Sequence, residues 1–254
     1  MGKTDQVYVN LQKHLNSQAV GFPATKSGVE INLLKHTQGP FVIIECICRK
    51  KKRLEGGTCH VTERKETCLA IHEMAEMLQA SNVGRTISRE EALSIIKKNQ
   101  ADGLVLQPSN TREAAFICSC CGCCCGMLSI HKKLPKPLDF WSSNFQAFVD
   151  AEVCIGCGSC EESCQVGAVI VSDQKRCAVV NLDRCLGCGV CIAGCPTEAI
   201  SLLKKSTEVI PPQTREELYD IIMEKKKGRF GKALLTGKFL MDAVRTGQTH
   251  LLKS

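Results

Sequence analysis

The hydrophobic pattern divides the chain into short apolar runs bounded by glycine, proline or charge. FVIIECI at 41–47 is continuous, of strand length, and reads as a buried strand. RKETCLAIHEMAEMLQAS at 64–81 sets Cys68, Ile71, Ala75 and Leu78 on one face at helical spacing, which predicts an amphipathic helix. Ser88 with Glu91 makes a capping box that opens a helix over 89–100. GLVLQ and AAFIC read as short strands, and GMLSIHKKL as a helix stopped by Pro135. FQAFVD at 145–150 is a strand leading into a module that ends near residue 203, with AVIVS and CAVVNL forming a hairpin inside it. Beyond Pro211-Pro212, Thr214 and Glu217 cap a helix over 215–226, and an amphipathic basic helix is expected over 230–246. The predicted class is α+β. It comprises a helical, mostly polar N-terminal arm (1–40), a cysteine-rich α/β domain (41–140), a third domain (145–205) and a basic helical tail (206–254).

Composition changes this picture in one respect. Of 254 residues, 44% are hydrophobic but only 4% aromatic, so the core rests on aliphatic and small side chains around the single Trp141. No apolar run is long enough to span a bilayer, and MGKTDQVYVN lacks the apolar region of a secretory leader. A cytoplasmic chain with reduced thiols is expected. Nineteen cysteines then dominate: an odd number cannot all form disulfides, and clustered thiols in such a setting are metal ligands or redox groups.

Eight of them fall in an internal repeat with an offset of 31 residues. EVCIGCGSCEESCQVGAV aligns with DRCLGCGVCIAGCPTEAI, and Cys154, Cys157, Cys160 and Cys164 match Cys185, Cys188, Cys191 and Cys195. Each half is C-x2-C-x2-C-x3-C, the spacing that holds cubane iron–sulfur clusters. Three thiolates on one tight loop reach three iron corners, and glycines let the backbone wrap close. The fourth cysteine opens a helix that leads away, so it serves the other cluster. Cluster I takes Cys154, Cys157, Cys160 and Cys195; cluster II takes Cys185, Cys188, Cys191 and Cys164. Zinc is the competing occupant of such thiolates, but its sites use CxxC pairs set well apart. Cys177, outside both runs, reads as a small core residue. The formal charge of +7 falls to about +3 once two clusters, each −2 with its thiolates, are counted. No nucleic-acid partner is expected from it.

Residues 150–203 thus resemble the bacterial two-[4Fe-4S] ferredoxins. The resemblance implies one-electron transfer at low potential and a redox partner protein. One departure is Gln165 after Cys164, where the second run has Pro196.

Ten cysteines remain as candidate ligands of an additional site: Cys46, Cys48, Cys59, Cys68, Cys118, Cys120, Cys121, Cys123, Cys124 and Cys125. CxC and CC pairs cannot easily place both sulfurs on one small cube. Three readings stay open: a third iron–sulfur site on Cys46, Cys48, Cys59 and Cys68, with or without the later group; one composite site, iron–sulfur or zinc, between the strands FVIIECIC at 41–48 and AAFICSC at 114–120; or packed and surface thiols. On CICR, ETC, CSCCGCCCG and the two cluster runs, residues 41–203 resemble the larger cysteine-rich 4Fe-4S proteins of anaerobic bacteria and archaea. The N-terminus, VYVNLQKHLNSQAVGFPATKSGVEINLLKH, resembles the same group but lacks the winged-helix-like segment of its fuller members. CCG at 120–122 and 124–126 also invites a likeness to heterodisulfide-reductase-like subunits, without their long spacing and second copy.

His60, His72 and His131 read as surface or partly packed side chains, and RKKKR at 49–53 as a solvated turn or an electrostatic collar beside Cys48. The basic tail can dock on its own domain, a partner or an anionic membrane face. No P-loop, GxGxxG or nucleophile–base set is present. The expected function is low-potential electron transfer through two [4Fe-4S] clusters, with a further cysteine-bound metal site. The alternatives are an oxidoreductase subunit with thiol/disulfide chemistry at 118–125, or a redox or metal sensor.

Overall fold

The computed structural model describes residues 37–225 except 110, 113, 140, 173, 175, 207 and 208, together with residues 8, 9, 34, 241, 244 and 245. These residues form a mixed α/β structure with seven α-helices. β1 (Tyr8–Val9) runs parallel to β7 (Trp141–Ser142), which replaces helix by strand at this point of the predicted N-terminal arm. The rest of that arm, and most of the predicted 230–246 helix, lie outside the described residues.

The cysteine-rich region is built on β2 (Phe41–Glu45), β3 (Glu66–Ile71), β4 (Arg85–Ile87), β5 (Val105–Pro108) and β6 (Phe116–Cys120). Their order is β4-β2-β3-β6-β5, with every neighbouring pair antiparallel. Alternation sorts the side chains by face. Phe41, Ile43, Leu69, Ile71 and Ile117 pack on Ala92 and Ile96 of α3 (Arg89–Ala101). Val42 and Ala70 pack on Ala75 of α2 (Glu73–Ala80). Each buried aliphatic side chain contributes about 1.5–3 kcal/mol. Ser88 Oγ accepts from Glu91 N at 3.2 Å, as the capping box requires.

Two sequence expectations fail here. The single helix over 64–81 is a strand followed by a helix: Thr67–Ile71 are all buried, β3 is paired on both sides, and His72 breaks the run at φ 53°. Two-sided pairing at the sheet centre outweighs helical periodicity. The strand at 41–47 ends at Glu45, and RKKKR is neither turn nor collar alone but part of α1 (Ile47–Leu54).

In the following domain β8 (Phe145–Val149) pairs antiparallel with β11 (Ile200–Lys204), and β9 (Val169–Ser172) with β10 (Cys177–Val180). α5 (Ser159–Ser163) and α6 (Val190–Ala193) follow the two cysteine loops. Cys177 is buried on β10. One apolar core joins this domain to its neighbour, running from Ala147, Val169, Ile192 and Ile200 to Val105, Leu128 and Trp141. Polar ties reinforce the junction. Arg184 donates to the carbonyls of His131, Lys132 and Leu134, which closes the C-terminal turn of α4 (Gly126–Lys133). His131 is fully buried against the Trp141 ring, not a surface residue. α7 (Arg215–Lys225) opens on a cap in which Thr214 Oγ1 accepts from Glu217 N and the Glu217 carboxylate accepts from Gln213 N. Among the described residues no helix is long and apolar enough to cross a membrane.

Candidate metal centres

The two halves of the repeat fold alike. Asp150 and Asn181, 31 residues apart, each turn the chain by accepting from the N–H two residues on, both at 3.0 Å. Asp150 N donates to Ala199 O and Asn181 N to Ala168 O, so each half is anchored on the other. The loops then need left-handed glycines. Gly156 has φ 66° and Gly187 has φ 59°, and a Cβ would lie 2.6 Å from Arg176 O at the first and 2.2 Å from Phe145 O at the second. Only a residue without Cβ allows this approach.

The thiols that result surround two places. Cys154, Cys157 and Cys160 line one cavity together with Cys195 of the second run, and Ala178, Thr197 and Ile200 close it. In the other place, the charges of Cys188, Cys185, Cys164 and Cys160 all bear on Cys191, and those of Cys164 and Cys185 on Cys188, so Cys164 of the first run lies near the second. Backbone N–H groups point at the sulfurs: Ala178 N to Cys154 at 3.4 Å, Ala168 N to Cys164 at 3.1 Å, and Ala147 N and Gly187 N to Cys185 at 3.4 Å. Burial pushes the Cys188 thiol up to about 12, and burial with neighbouring sulfur charge raises Cys191 further. Thiolates this close and this buried need a cationic occupant to hold their charge. An all-sulfur donor set with N–H bonds to sulfur and a small enclosed cavity fits an iron–sulfur cluster. Residues 147–202 match the family model of the 4Fe-4S dicluster domain, so this is an iron–sulfur domain of the ferredoxin type. No curated protein matches the chain.

The other ten thiols gather where β3 and β6 meet the N-termini of α1 and α4. The thiols of Cys46, Cys68, Cys118, Cys120, Cys125 and Cys48 adjoin one another in that order. The neighbouring thiols of Cys120 and Cys68 hold Cys118 down to about 5. The neighbouring Cys120, with N–H groups of Leu128 and Met127 in the first turn of α4, holds Cys125 at about 6. The remaining four are separate. Cys59, from the loop between α1 and β3, lies 3.7 Å from Cys121 and 3.8 Å from Cys123, with Cys123 and Cys124 3.6 Å apart. All four sulfurs lie within 4.8 Å of one another. Burial, then the charges of Cys123 and Cys59, push Cys121 up to about 12.

Arg49 of α1 stands between the two sets, 2% exposed. Its guanidinium donates to Ser119 O at 3.1 Å and to Thr67 Oγ1, and lies 3.9 Å from Cys121 Sγ. Burial disfavours its charge, but the sulfurs of Cys46, Cys121 and Cys68 raise its pKa. The sequence leaves Arg49 in a charge run that is either a solvated turn or an electrostatic collar beside the thiols. The helical period of α1 turns it inward, with exposed Lys50 and Lys51 beside it. Gln165, expected from the sequence to add an N–H donor beside Cys164 that tunes the second cluster, makes a different contact. Its Oε1 accepts from Gly122 N at 2.8 Å, and a Cβ on Gly122 would lie 2.2 Å from Gln165 O. The residue after Cys164 therefore seats directly on the turn between Cys121 and Cys123. His60 is exposed, and His72 lies at a strand–helix turn.

Proposed function

We propose that the protein is an iron–sulfur electron carrier with two [4Fe-4S] clusters and a further cysteine-bound metal site, serving low-potential transfer between redox partners. What supports this reading is that Cys195 lines the cavity of the first run and that the charge of Cys164, the last cysteine of that run, bears on Cys188 and Cys191 of the second. Cys154, Cys157, Cys160 and Cys195 would hold one cluster, and Cys185, Cys188, Cys191 and Cys164 the other. Such a cluster supplies reversible one-electron chemistry at a potential set by charge, hydrogen bonds to sulfur and exposure.

The chain's own residues make the two sites unequal. Cys157 is exposed, and Val153 and Ile155 beside it expose 43% and 64% of their surface. This apolar collar suits a docked protein that excludes water as it binds. The site of Cys185, Cys188, Cys191 and Cys164 is turned inward, against the cysteine-rich domain through Gln165 and Gly122. A partner is thus expected at the first site, while the second adjoins the ten-thiol region.

The test is a reductive titration of the anaerobically purified chain followed by low-temperature EPR. Uptake of two electrons with spin–spin interaction between two centres supports the reading. A single isolated centre contradicts it.

A further inference from the structure

We propose that Cys59, Cys121, Cys123 and Cys124 form a mononuclear tetrathiolate site for one divalent ion of the zinc or ferrous type. The proposal rests on the reading that the cysteine-rich domain binds a metal, and it names which four of the ten thiols do so and how many ions they take.

Sulfur spacing carries the argument. A metal–thiolate bond is about 2.3 Å, so four sulfurs on a tetrahedron around one ion stand about 3.8 Å apart. The sulfurs here are separated by 3.7, 3.8 and 3.6 Å for Cys59–Cys121, Cys59–Cys123 and Cys123–Cys124, and none of the four is beyond 4.8 Å from another. The thiolates of a cubane bind four different irons and stand much farther apart. The adjacent pair Cys123–Cys124, awkward on a cube, is accommodated when both sulfurs share one ion.

Two further features agree. A buried guanidinium needs an anion. Among the described residues no carboxylate forms an ion pair with Arg49, and its guanidinium lies 3.9 Å from Cys121 Sγ. Four thiolates around a divalent ion carry a net charge of about −2, which supplies that anion. Position also matters. Glu55–Lys65 connects α1 to β3 without helix or strand, and Cys59 lies in its middle, opposite a turn that contributes three sulfurs. One ion would clip this loop to the start of α4, as structural zinc sites do.

The test uses the full chain purified without oxygen, with zinc and iron counted per chain in wild type, Cys59→Ala, Cys124→Ala and Cys46→Ala. One ion is expected beyond the roughly eight irons of two cubanes. Cys59→Ala and Cys124→Ala should each lose that ion while keeping the eight irons, which also report an intact fold. If the ion is zinc, X-ray absorption on wild type should show four sulfurs at about 2.3 Å and no second metal nearby. If it is iron, Mössbauer spectra should contain a mononuclear tetrathiolate component beside the clusters. Extra metal retained in Cys59→Ala and Cys124→Ala but lost in Cys46→Ala would overturn the four-thiol assignment and leave a metal site in the domain. No metal beyond eight irons would overturn both. Should the alanine variants fail to fold, the wild-type spectra alone decide: nitrogen or oxygen ligands, or a metal–metal vector at the zinc edge, refute the site.

Discussion

The ferredoxin-type domain and the cysteine-rich domain use the same side chain in opposite ways. In the first, a repeat places Asp150 with Asn181 and Gly156 with Gly187, so the loops bend alike and spread their sulfurs around a cavity. In the second, thiols from separate elements crowd together at 3.6–3.8 Å, with a buried arginine among them. Regular spacing on one loop keeps sulfurs apart and leaves room for a cluster between them. A loop folded onto a cysteine-packed turn brings them to the separation of ligands on one ion. Backbone N–H groups temper charge in both regions, and a buried guanidinium adds to them in the second.

Breaking each region separately should show these differences. The largest effect is expected from Cys164→Ser and Cys195→Ser, each of which should cut iron by about four per chain. Cys164→Ser should spare the centre on Cys154, Cys157 and Cys160, and EPR of each variant shows which centre survives. Loss from the run in which the mutation lies would contradict the crossed assignment of fourth cysteines. Next, Arg49→Leu should destabilise by about 3–5 kcal/mol, because it leaves buried thiolate charge without its partner. Arg53→Leu on the same helix, whose partner Glu45 is solvent-accessible, should change stability by less than about 1 kcal/mol. Anaerobic denaturant unfolding followed by circular dichroism compares the two. Equal effects would mean that the buried charge carries no special role.

A smaller loss is expected where the regions meet. Gly122→Ala would force a Cβ onto Gln165 O and cost about 1–3 kcal/mol, whereas Gly126→Ala meets open space and should be close to neutral in the same unfolding assay. The smallest effect concerns His131. Burial, then the nearby charge of Arg184, hold its pKa down to about 4 from an ordinary 6.5. Arg184 is the charged group that faces it from the neighbouring domain. A depressed histidine favours the folded state fully above about pH 6.5, and that contribution falls as pH drops toward 4. Thermal unfolding at pH 7 and pH 5 should therefore separate wild type from His131→Phe, with wild type losing on the order of 1–2 kcal/mol more. Parallel shifts in both proteins would show that His131 stays neutral without cost.

The repeat and the capping boxes at Ser88 and Thr214 were legible because each is local: spacing, turn and cap lie within a few residues. What depends on the sheet was hidden. Glu66–Ile71 shows a helical stripe in isolation and becomes a strand only because β2 and β6 flank it. The same pairing sets Cys68 beside Cys118 and leaves Cys59 to meet Cys121 and Cys123, so sequence order could not sort ten thiols into sets. Arg49 looked like one of five consecutive basic residues, and a single turn of α1 determines which of them is buried. Gln165 stood out only as a missing proline, with its contact on Gly122 lying 43 residues away.

Iron and acid-labile sulfide per chain, measured on anaerobically purified wild type, bear most directly on the two-cluster assignment. Two [4Fe-4S] clusters require about eight of each, with any zinc or single iron bringing no sulfide. About four of each, or metal without labile sulfide, would contradict it.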